Sequence, residues 1–124
     1  MGLACKRKDA TEVKYMFLLF NEERPEDMSP EAMEPWIKFG QDAEKLATYS
    51  AGEALHPSST ATVVSVRDGK RIVTDGPFIT TKEQIGGFYI YDCENLDTAM
   101  KLAEMIPWAP TGHIEIRPVV DFGQ

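Results

Sequence analysis

Lys14-Tyr15-Met16-Phe17-Leu18-Leu19-Phe20 is apolar at nearly every position. A strand over these residues shows Tyr15, Phe17 and Leu19 to one side and Met16, Leu18 and Phe20 to the other, so both of its faces need cover. Asn21 to Met28 is polar and rich in carboxylates. Ser29-Pro30-Glu31 then predicts a helix start: a capping hydroxyl, a proline where no N–H is needed, and an acid in the first turn. Met33, Trp36, Ile37, Gly40, Ala43, Leu46 and Ala47 recur at three- and four-residue steps. They predict a helix that runs to near Ser50, with Pro35 close enough to its start to be tolerated. Glu53 to His56 is expected as a short strand and Pro57-Ser58-Ser59 as loop.

Ala61 to Val66 and Arg71 to Thr74 read as strands joined by a hairpin turn at Asp68-Gly69. Phe88 to Asp92 is a second strand apolar or aromatic on both sides. Asn95 caps a second helix that runs through Ile106, with Leu96, Ala99, Met100, Ala103 and Ile106 on its buried stripe and Pro107 ending it. His113 to Val119 forms the last strand, with Ile114 and Ile116 on one face and His113, Glu115 and Arg117 on the other. Two strand–helix–strand halves with an inserted hairpin predict a ferredoxin-like α+β sandwich. Right-handed crossovers put both helices on one sheet face. No third helix is available for the other face, so a second copy of the sheet is the expected cover, giving a homodimeric α/β barrel with an interior space.

Residues 75–87 concentrate turn chemistry between strands. Gly76 before Pro77 predicts a sharp bend that the Asp75 side chain can hold through nearby backbone N–H groups. Thr80 to Glu83 and Thr81 to Gln84 have capping-box spacing, which predicts one helical turn. Gly86-Gly87 before an aromatic strand predicts a bulge or a close backbone approach.

Composition narrows the classes. The 124 residues suffice for one core, and the formal charge of −7 disfavours a general phosphate-backbone binder, so no nucleic-acid partner is expected. No apolar run approaches the ~20 residues needed to cross a bilayer. Lys6 occupies the place where a myristoylation start wants Ser or Thr, and no apolar stretch precedes Leu3-Ala4-Cys5 as a lipoprotein signal would require. A cytoplasmic protein with free thiols at Cys5 and Cys93 is the expectation. Residues 1–13 are expected to be disordered, 14–120 to form the domain and 121–124 a tail.

Asp75-Gly76-Pro77-Phe78, Thr81-Lys82-Glu83-Gln84-Ile85-Gly86-Gly87-Phe88-Tyr89, Leu96-Asp97-Thr98-Ala99 and Ile114-Glu115-Ile116-Arg117-Pro118-Val119 resemble the DGPF branch of the YCII-related family. The resemblance covers about residues 14–120. It implies a dimeric α+β barrel, a bacterial cytoplasmic setting and an association with extracytoplasmic-function sigma factors. It also implies that residues 1–12 precede the usual start of such chains. Enzymatic relatives use a histidine early in the first helix and an aspartate before the proline that follows the second. The matching positions here are Ala32 and Ile106, neither of which can move a proton.

Candidate chemistry is therefore sparse. Asp75 is either a turn-capping carboxylate or, at a barrel mouth, a general base with a pKa raised by burial. Lys82 is either solvated or orients a polar or anionic ligand. His113, Glu115 and Arg117 either line the dimer interior, with Arg117 gripping a carboxylate, or form an outward cross-strand ion pair. Tyr89 and Tyr91 are either aromatic filler or add hydroxyls to that pocket. No metal-ligand spacing, phosphate loop, dinucleotide fingerprint or nucleophile elbow occurs, so no metal site or cofactor is expected. The first expectation is a homodimeric module that binds a small polar ligand or serves as an accessory protein. The alternative is a small hydrolase- or lyase-like enzyme with Asp75 as base and Arg117 as anion anchor.

Overall fold

The computed structural model describes residues 12–123. Expectations for residues 1–11 lie outside them, and Val13 already stands in the first strand. The order is β1 (Val13–Glu22), α1 (Pro30–Ala43), β2 (Thr48–Ala54), a single 3-10 turn at Ser58–Thr60, β3 (Thr62–Arg67), β4 (Lys70–Asp75), β5 (Glu83–Cys93), α2 (Leu96–Met105) and β6 (His113–Pro118). The fold is α+β. Four strands form one antiparallel sheet in the order β2-β5-β1-β6, and β3 with β4 forms a separate two-stranded sheet. Each strand–helix–strand pass leaves a one-strand gap that the other pass fills: β5 lies between β1 and β2, and β1 between β5 and β6.

Register assigns the faces. Phe17 lies opposite Tyr89 on β5 and Ile116 on β6, and these residues turn toward the helices. Tyr15, Phe17, Leu19, Tyr91 and Cys93 form the core with Phe39 and Ala43 of α1 and Ala99, Leu102 and Ala103 of α2. Met16, Leu18 and Phe20 turn to the opposite face with Phe88 and Ile90. No helix covers that face among the described residues, and all five side chains are half-buried.

Both helix starts follow the sequence. The Ser29 hydroxyl accepts the Ala32 N–H, and the Asn95 amide oxygen accepts the Thr98 N–H. The buried stripes hold in part: Ala43, Ala99, Ala103 and Ile106 are buried as expected. Phe39 and Leu102 are buried, whereas Ile37, Leu46, Leu96 and Met100 are exposed. Phe39 with Ala43, and Leu102 with Ala99 and Ala103, are the positions that meet the sheet.

Two boundaries also move. α1 ends at Ala43, where the Leu46 and Ala47 N–H groups both reach the Ala43 carbonyl at 2.9 and 3.0 Å, and not near Ser50. The strand expected from Glu53 to His56 begins at Thr48, because Thr48 and Tyr49 pair with Asp92 and Tyr91 on β5; sheet pairing outweighs local helix propensity there. The helical turn expected after Thr80 does not form. The Gln84 amide donates to the carbonyls of Ile79 and Thr81 at 2.7 and 2.9 Å, and the Thr81 hydroxyl donates to the Glu83 carbonyl at 2.7 Å. Those polar side chains tie a loop that feeds straight into β5.

The Asp68-Gly69 turn forms as expected, with both residues at positive φ, 52° and 75°, as a two-residue hairpin of this hand requires. The register slips between Leu19 and Phe20, which pair with Gly87 and Ile85; Gly86 is thus a bulge.

Candidate functional site

The bulge shapes one wall of an open cleft of about 810 Å³ on the helix side of the sheet. That volume is typical of small-molecule sites, roughly 300–1,000 Å³. The cleft lies between the β1–α1 connection, the first turns of α1, the end of β2 and the turn after α2. The indole of Trp108 lies directly over Gly86, where a Cβ would collide with it, so only glycine lets this ring reach the sheet. Trp36 meets Trp108 edge-on, with centroids 5.9 Å apart and planes at 75°. Trp108 is held by its turn: its carbonyl accepts from the N–H groups of Thr111 and Gly112 at 3.1 and 2.7 Å.

The mouth is fastened by polar side chains. Glu23 accepts the Ser58 N–H at 2.6 Å and the Ser58 hydroxyl at 2.7 Å, clipping the β1–α1 connection to the segment after β2. Glu26 and His56 meet at 2.9 Å beside this clip. Asn21, buried at the end of β1, donates to the Thr111 hydroxyl at 2.9 Å and accepts the Glu22 N–H at 2.8 Å. The Ser29 N–H holds the Asp27 carboxyl below its usual range and keeps it ionised at the start of α1.

The residues singled out from sequence fall in four places. Tyr89 lines the cleft and packs on Phe39, with centroids 5.2 Å apart; burial raises its pKa. His113, Glu115 and Arg117 lie on the opposite face, across from Phe20, Leu18 and Met16. There His113 meets Glu83 at 2.7 Å and Arg117 donates to Glu115 at 2.8 Å. Tyr89 is therefore separated from them by the sheet. Lys82 is exposed, 3.8 Å from the Glu22 carboxylate. Asp75 ends β4 opposite Thr62, exposed and outside the cleft lining. Pro77 lines a smaller hollow of about 340 Å³ that shares Leu55, His56, Pro57, Gln84 and Ile85 with the cleft.

Cys93 is fully buried, and burial pushes its thiol up to about 11, so it is not poised as a nucleophile. Tyr91 is pushed well above its ordinary value, chiefly by burial. Of the two positions matched to catalytic residues in enzymatic relatives, Ala32 lines the cleft and Ile106 is buried in the core. Among the described residues, no group of three or more His, Cys, Asp or Glu side chains is arranged to hold a metal ion, and no helix is long and apolar enough to cross a membrane.

Sequence reasoning missed Trp108 altogether and took Trp36 only as helix stripe. The available signals were Trp108 lying one residue past a helix-ending proline and Gly86-Gly87 reading as a close approach.

An uncharacterised protein of Rhizobium meliloti (strain 1021) is 43% identical to this chain over 67 residues, covering 52% of this chain and 54% of that protein. This chain thus spans about half the length of that relative. Residues 13–123, from the first residue of β1 past the end of β6, match the YCII-related domain. The cleft, the interleaved sheet and the inserted hairpin all lie within that match, and the chain belongs to the YCII-related domain family.

Proposed function

We propose that this chain is a small-ligand-binding module that works as a homodimer, with the Trp36–Trp108 cleft as its binding site. The carrying observation is the seat of Trp108 on Gly86, which sets an aromatic wall against the sheet beside an open, polar-rimmed volume. Apolar and aromatic walls with a few polar groups at the mouth are the usual anatomy of a small-molecule site.

The dimer rests on a different face. The interleaved order β2-β5-β1-β6, with both helices packed on one side, supports the ferredoxin-like reading. The far side, with Met16, Leu18, Phe20, Phe88 and Ile90, is an apolar layer that a second sheet would cover, closing an α/β barrel. The cleft is on the helix side, so it would face outward from such a barrel.

An enzyme with Asp75 as base and Arg117 as anion anchor finds less support. Arg117 is engaged by Glu115, and Asp75 ends an exposed hairpin strand.

Both tryptophans of the chain line the cleft, so intrinsic fluorescence reports on it directly. Titration with a panel of small molecules is expected to give a saturable change for at least one chemical class, and Asp75→Asn to leave that change intact. A panel without any response in a folded protein overturns the ligand-binding reading. Sedimentation at micromolar concentration is expected to give a dimer; a monomer there overturns the barrel but not the cleft.

A further inference from the structure

We propose that the outer edge of β4 in the inserted hairpin is an interaction surface for a second copy of this chain, the two β4 strands pairing antiparallel about a two-fold axis at Val73. The surface is separate from the cleft and from the sheet face discussed above.

Backbone geometry sets which groups are on offer. The two-residue turn at Asp68-Gly69 makes Arg67 and Lys70 a hydrogen-bonded pair, and such pairs alternate along an antiparallel ladder. Lys70, Ile72 and Thr74 therefore direct their N–H and C=O groups to β3. The Gly76 N–H, which reaches the Ala61 carbonyl at 2.8 Å, continues the same alternation. Arg71, Val73 and Asp75 turn theirs the other way, to an edge where no strand pairs among the described residues. Every residue of β4 is exposed. Such an edge is a template for another strand, and β4 carries neither a proline nor a bulge to blunt it. A hairpin on its own is marginal in water, and two joined edge to edge make a larger sheet.

The side chains choose the occupant. Arg71, Val73 and Asp75 lie on one face, with Val64 and Val66 of β3 beside them. Arg71 and Asp75 flank Val73 symmetrically, about 13 Å apart along the strand, and neither has an ion-pair partner among the described residues. A two-fold axis at Val73 sets the two Val73 side chains against each other and each Arg71 against the other copy's Asp75. The outward N–H and C=O groups fall on these same residues, so each opposed pair exchanges both of its backbone bonds. Sliding the register either way sets Val73 against Arg71 or Asp75 and leaves the charges unmatched. A different partner would need its own acid and base at this spacing; a second copy supplies both by symmetry. Pairing widens the hairpin sheet without roofing it, so Val64 and Val66 stay exposed.

The test is cross-linking and sedimentation of the full chain. With Cys5→Ser in the background, Val73→Cys is expected to form a disulfide-linked dimer under mild oxidation, because opposed hydrogen-bonded residues have Cα atoms about 5.5 Å apart. Val64→Cys is not, since the two copies of that position would lie roughly 14 Å apart. Arg71→Glu and Asp75→Lys are each expected to weaken association about tenfold by setting like charges opposite one another, and the double exchange to restore it. Val73→Pro removes an outward N–H and no bond to β3, so it should abolish association in a protein whose melting curve shows it folded. Leu18→Glu on the sheet face separates this contact from the barrel: the Val73→Cys cross-link is expected to survive it. A cross-link through Val64→Cys and not Val73→Cys would mean that the β3 edges meet, and the proposal falls. It falls equally if neither variant cross-links, if the single charge reversals change nothing, or if the double exchange is no better than they are. Loss of the cross-link in folded Leu18→Glu would overturn the hairpin as an interface of its own and leave the barrel standing.

Discussion

Phe17 in β1 is fully enclosed, while Val64 and Val66 in β3 are 58% and 61% exposed. Ile72 and Val73 in β4 are exposed as well. Both regions are strands of residues that suit a pleated, half-buried surface. They differ in what the chain can lay over them. β1 is flanked by β5 and β6 and roofed by α1 and α2, so its odd-numbered side chains meet Phe39, Ala99 and Leu102. The β3–β4 hairpin is a separate two-stranded sheet, and among the described residues no helix is left to pack on it. Burial here is decided by the supply of covering layers, and not by how apolar a strand is. The cleft belongs to the roofed region, where Trp108 reaches back over β5.

The sharpest break of this comparison is Phe17→Ala, expected to destabilise by about 3–5 kcal/mol, measured by denaturant unfolding. A much smaller loss would mean that the roof collapses into the space and is less fixed than its packing implies. Next is Gly86→Ala. Its methyl needs the place of the Trp108 ring, so a loss of about 1–3 kcal/mol is expected together with a changed tryptophan emission. Normal emission in that variant would show that Trp108 is not seated on the sheet in solution. Asn95→Ala removes the cap of α2 and is expected to lower stability by about 1 kcal/mol without touching the emission. The smallest effect belongs to the hairpin: Val64→Ser should change stability by no more than about 0.5 kcal/mol. A loss approaching that of Phe17→Ala would mean that the hairpin is covered in solution, and the contrast between the two regions would dissolve.

Much of the layout was legible in the residues. Ser29-Pro30-Glu31 and Asn95 announced both helices because capping is a local event that a few residues complete alone. Asp68-Gly69 announced its turn because two successive positive-φ residues leave few alternatives. Thr80 to Gln84 misled, since the same hydroxyls and amide that cap a helix also tie a loop. Thr48 and Tyr49 misled because their strand exists only through pairing with β5. The site was less legible than the fold. Tyr89 and the Gly86-Gly87 approach were visible, but Trp108 was not, because no periodicity marks a ring in a turn that folds back across the sheet.

Sequence by itself determined where both helices begin, the α+β order, and that His113, Glu115 and Arg117 share one face of β6, since alternation and capping act within a few residues. Tertiary structure alone decided that Tyr89 and those three residues lie on opposite faces, that Asp75 ends outside the cleft, and that Trp36 meets Trp108 over Gly86. Those outcomes depend on strand register and on tertiary packing, which join positions more than twenty residues apart, and no local preference of the chain encodes them.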